Sequence, residues 1–96
     1  MITVELIKQI YPHPTVVPKD NDGLVNGYCV GGAVCMMANV AIPFPATDEL
    51  ADVLRTLNTN LTPLVARRYA TKIILKNDLG AFPSAWKVVA EALTYL

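Results

Sequence analysis

Hydrophobic positions recur along the chain with helical rather than strand periodicity. Over 2–10, Ile2, Leu6 and Ile10 make one stripe with Ile7 beside it, while Glu5, Lys8 and Gln9 face outward; Pro12 stops the helix. A second helix is predicted over 27–40, with Asn26 as its N-cap and Pro43 and Pro45 beyond its end. It is apolar on nearly every face, the pattern of a helix wrapped by its neighbours. Gly31 and Gly32 weaken its intrinsic helicity, so close backbone packing is expected to compensate.

A third helix is predicted over 48–57, with Thr47 as N-cap, Asp48 and Glu49 at the positive end, and Leu50, Val53, Leu54 and Leu57 as its stripe. Thr62 followed by Pro63 is a strong helix start. The fourth helix should run to about Lys76, with Val65, Tyr69 and Ile73 inward and Ala66, Ala70 and Ile74 alongside. Asn77-Asp78-Leu79-Gly80 breaks the chain. A fifth helix follows with Ser84 as N-cap and Trp86, Val89, Ala90 and Leu93 inward. Thr15-Val16-Val17 is β-prone, but prolines bracket it. The expected fold is therefore all-α: one compact domain over 1–96, five helices, and the apolar helix 27–40 at the centre. A proline-rich loop at 11–26 interrupts it, and loops of that length are often functional.

Composition narrows the function classes. With 96 residues the chain supports one core. It is 53% hydrophobic and 17% charged, which excludes disorder. Eight basic residues balance eight acidic ones, so no global field points to nucleic acid. The N-terminal stretch has neither a basic leader nor a small-residue cleavage site, so no signal peptide is expected. The uncharged stretch 23–47 is interrupted by Gly and Pro. Its helical part would rise only about 22 Å, short of the roughly 30 Å of a hydrocarbon core. No membrane span is expected, and the cytoplasm is the expected compartment.

Few residues could carry chemistry. Cys29 sits near the start of the second helix, where amide N–H groups and the helix dipole can activate a thiol. A cysteine hydrolase or transferase would need a base, and His13 or Asp78 could serve. The competing reading makes Cys29 a small buried hydrophobe. Cys29 and Cys35 lie on different faces of one helix and cannot pair. Asp20-Asn21-Asp22-Gly23 resembles part of a calcium loop, yet Pro18 and Cys29 would occupy its first and last ligand positions. No metal and no cofactor is expected. Arg68, Lys72 and Lys76, with Arg67 adjacent, make a basic stripe that could meet anions or an acidic protein face. No aromatic is placed to stack bases, which argues against nucleic acid. Asp78 opposes the dipole at the end of its own helix. Its carboxylate is therefore expected to accept from backbone N–H groups at the start of the second helix.

Together, Asp22-Gly23, Cys29-Val30-Gly31-Gly32-Ala33, Asn77-Asp78, Gly80 and the helix around Trp86 resemble a family of small proteins of unknown function from actinobacteria and their phages. Lys76 stands where that family tends to have Trp, and 11–17 has no counterpart in it. The resemblance implies a compact helical fold and a phage or prophage origin. It brings a structural motif of Cys29, Gly32, Ala33, Asn77 and Asp78, and no activity. The expected function is a non-enzymatic binding or interaction protein, phage-encoded and acting on a host component, with a protein as the expected partner. The alternatives are the Cys29 hydrolase and, more weakly, an anion or nucleic-acid binder through Arg67, Arg68, Lys72 and Lys76.

Overall fold

The computed structural model of the protein describes residues 3–12, 14 and 27–96. They form five helices: α1 (Val4–Ile10), α2 (Val30–Met37), α3 (Thr47–Leu57), α4 (Pro63–Asp78) and α5 (Phe82–Leu93), with no strand among the described residues. α4 lies along both α3 and α5, and α2 touches all four other helices. The fold is thus all-α with α2 at its centre. No helix among the described residues is long and apolar enough to cross a membrane.

Local chemistry explains where the helices begin. Thr3 caps α1, its Oγ1 accepting from the Leu6 N–H at 3.2 Å. Thr62 caps α4 in the same way, accepting from Val65 at 3.2 Å, with Pro63 at the first helical position as expected. Two predicted caps lie one or more residues late. α3 is capped by Ala46 rather than Thr47, because the Glu49 carboxylate reaches back to accept from the Ala46 N–H at 2.9 Å. α5 begins at Phe82 behind Ala81 rather than behind Ser84, since Pro83 fits the first turn without loss of a helical hydrogen bond.

The helix ends follow a repeated device. α2 stops at Met37, short of the expected residue 40. Asn39 turns left-handed with φ 58°, and the Asn39 and Val40 N–H groups return to the Met36 and Cys35 carbonyls. At the end of α4, Gly80 has φ 74°, and the Gly80 and Ala81 N–H groups return to Asn77 and Lys76. Both are Schellman closures, with Asn and Gly as the residues that tolerate the left-handed position. The second closure lets α4 run to Asp78, two residues past the expected end at Lys76.

The core comprises Val30, Val34, Leu50, Leu54, Ile73 and Val89 among its fully enclosed side chains, with Trp86 at its edge. Burying each of the larger aliphatic side chains contributes about 1.5–3 kcal/mol. On α1 the inward residue is Ile7, 2% exposed, whereas Leu6 and Ile10 are 42% and 53% exposed. The stripe expected through Leu6 and Ile10 is therefore rotated: Val4, Ile7 and Tyr11 pack inward. Ile2 lies outside the described residues, as do His13, the triplet Thr15-Val16-Val17 and the acidic turn Asp20-Asn21-Asp22-Gly23. The two flanks of the predicted loop meet, for the Tyr11 and Tyr28 ring centroids are 4.8 Å apart. At the far side Asn58 joins α3 to the end of α5, donating from Nδ2 to the Ala92 and Tyr95 carbonyls at 2.9 and 2.8 Å.

The chain between α2 and α3 crosses directly over the first turn of α2. The Pro43 carbonyl accepts from the Cys29 N–H at 3.2 Å. A Cβ at Gly32 would overlap that carbonyl group, lying 2.6 Å from its carbon. A Cβ at Gly31 would meet side chains and no backbone among its nearest neighbours: Leu50 and Pro45, each at 3.2 Å, and the Cys29 sulfur at 3.5 Å. Gly32→Ala is expected to cost about 3 kcal/mol or more in urea unfolding, because backbone must move, and Gly31→Ala clearly less. Equal stabilities of the two variants would contradict this packing.

Candidate functional site

Of the residues singled out by sequence, Cys29, Gly32 and Asn77 meet at the start of α2. This helix begins at Val30 with Cys29 as its N-cap, so the expected start at residue 27 with Asn26 as cap is corrected. Gly27 is left-handed with φ 79° and Cys29 is extended, and neither continues a helix. Asn26 itself lies outside the described residues. The Cys29 Sγ accepts from the Gly32 N–H at 3.3 Å, the place a serine oxygen usually takes.

The next amide is held from across the molecule. The Val30 N–H donates to Asn77 Oδ1 at 3.0 Å, in the buried interior and 47 residues away in sequence. The role expected of Asp78 thus belongs to its neighbour. Asp78 is exposed, and its carboxylate accepts no hydrogen bond from the described residues. The physical reason is the two-residue extension of α4. With the helix continuing to Asp78, Asn77 falls on the core stripe of Ala66, Ala70 and Ile73, while Asp78 rotates about 100° away. At 2% exposure a neutral amide is tolerated where a carboxylate would lose its hydration.

This environment disfavours a nucleophilic thiol. Cys29 is 7% exposed, and burial pushes its thiol up. The amides of Gly32, Gly31 and Cys29 pull it down less strongly, and the Asp78 charge raises it further. Asp78 therefore opposes the thiolate that a catalytic pair would require. Burial raises Cys35 to about 12. His13, the other candidate base, lies outside the described residues. Ala33 is fully buried and serves packing. No group of three His, Cys, Asp or Glu side chains among the described residues could hold a metal ion.

The basic stripe stands apart from this cluster, on the outward face of α4. Arg67, Arg68 and Lys72 are exposed and Lys76 is half-buried. Arg67 pairs with Asp48 at 2.7 Å, both side chains being more than half exposed, so the pair adds little stability. Sequence reasoning missed what lies among these cations. Leu64, Leu75 and Leu79 are 61%, 57% and 73% exposed. With Arg68 they fall at i, i+4, i+11 and i+15, on the same face as the basic residues. That spacing was readable by the same rule that found the stripe. Beside them runs a groove of about 490 Å³ between α4 and α5, to which α5 adds Lys87.

Asn77→Ala is expected to destabilise the protein by about 2 kcal/mol, since it leaves a buried donor without its acceptor. Asp78→Ala should stay close to the parent stability. Equal urea midpoints for the two variants, or the reverse order, would contradict the assignment. In comparisons with known proteins, no protein-family model, no curated protein and no solved structure matches this chain.

Proposed function

We propose that this is a small non-enzymatic interaction protein, phage-encoded and acting in the cytoplasm on a host protein through the outward face of α4. The observation that carries the reading is the set of three leucines, Leu64, Leu75 and Leu79, each more than half exposed on one helix face among cations. Single exposed leucines are ordinary, but a face that joins several of them to an excess of cations, with Asp78 the one carboxylate of α4, fits protein binding. The state of the candidate nucleophile supports the non-enzymatic part: Cys29 is spent on capping α2, with its thiol pushed up by burial. The phage origin rests on the resemblance of the 29–33 and 77–78 motifs alone.

A photo-crosslinking residue placed at Leu64 or Leu75 tests this in an actinobacterial lysate. One discrete adduct is expected from these positions, lost when Arg68 and Lys72 are both changed to Glu. The control position Thr94, at the end of α5, should give none. Equal smears from all positions would contradict the reading. Native Cys29 should also react slowly with a maleimide at neutral pH, and rapid reaction would favour the hydrolase instead.

A further inference from the structure

We infer that the groove between α4 and α5 is the seat of an acidic amphipathic helix supplied by the partner protein. The inference rests on the reading of α4 as a protein-binding face and adds the site and the chemistry of its occupant. α4 and α5 form a helical hairpin closed at Gly80, and a groove between two packed helices accepts a third along its length. Leu75 and Leu79 stand at i and i+4 on one wall, and Val88, 5% exposed, lies in the α5 wall. They offer an apolar strip to residues of matching helical spacing. Lys72, Lys76 and Lys87 border the strip from both helices against the single carboxylate of Glu91. An apolar strip edged by three lysines complements a helix with leucine-like residues on one face and Asp or Glu beside them.

The other occupants fit less well. A second copy of the chain meeting this groove through its own groove would set lysines against lysines. An anionic lipid surface could take up Leu75 and Leu79 but would not reach Val88, 5% exposed in the α5 wall of the groove. Nucleic acid would leave Leu75 and Leu79 without a partner, and no aromatic ring lines the groove to stack a base.

Two synthetic helical peptides with identical leucine positions, one flanked by Glu and the other by Lys, provide the test. Each is titrated into the isotope-labelled protein while backbone amide shifts are followed. The Glu peptide should shift Lys76, Leu79, Lys87 and Val88 saturably, and Lys87→Glu should weaken its binding about tenfold. Lys87 is exposed on α5, so the variant should fold normally. Equal affinity for the two peptides, or no saturable shift, overturns the inference. Shifts confined to Leu64, Arg68 and Thr71 overturn it too, while leaving the broader reading of α4 intact. Self-association on sedimentation through this groove, or tighter retention by vesicles of equal parts phosphatidylcholine and phosphatidylglycerol, would assign the groove to a second copy or to lipid and overturn it likewise.

Discussion

The N–H groups that open α2 lie inside the core, and each needs an acceptor that water cannot supply. Three different parts of the chain provide them or anchor them. Asn77 of α4 accepts from Val30, the Cys29 sulfur accepts from Gly32, and the Pro43 carbonyl holds the Cys29 N–H. A helix that begins on the surface can leave these groups to solvent. A central helix, touched by all four others, cannot. The rest of the architecture is arranged around this requirement: α4 must continue to Asn77, and the 41–46 segment must pass close enough over Gly32 for Pro43 to reach.

That constraint also divides the molecule by task. The polar groups near the α2 start are engaged in structure: Cys29 caps α2 with its thiol pushed up by burial, Asn77 holds the Val30 amide, and the other side of α4 is exposed. α4 thus carries Ala66, Ala70, Ile73 and Asn77 on one side and Leu64, Arg68, Lys72 and Leu75 on the other. The inner side closes the core with small residues that admit close approach of neighbouring helices. The outer side exposes leucines among cations, and these contribute nothing to the core.

Most of the fold was legible in the sequence because its signals are local. Thr62-Pro63, the Leu50 to Leu57 stripe and the wholly apolar 30–37 segment each specify an element through neighbours within a turn or two. The failures came where distant parts of the chain decide. Asn77 has the look of a breaker because Asn and Gly close by suggest a turn, yet the 66, 70, 73, 77 spacing continues a core stripe. Its partner amide is 47 residues away, and no local pattern points there. The Ala46 cap was hidden because its acceptor comes from Glu49 rather than from its own side chain. At the outer surface, the cations form a plain i, i+4 pattern, whereas the exposure of the leucines among them is not encoded locally. Their exposure follows from how α4 rotates against α3 and α5, which periodicity alone leaves open when both faces of a helix contain leucine or isoleucine.

The fold depends on the Val30 amide being held by Asn77 in the buried interior. Native-state hydrogen exchange at that single amide measures it. Exchange there should be as slow as global unfolding allows, and far slower than at the Leu6 and Val65 amides, which rest on exposed threonine caps. In Asn77→Ala, the Val30 amide should exchange faster even after allowance for the variant's lower global stability. Rapid exchange of Val30 in the parent protein, on a par with Leu6 and Val65, would contradict the account.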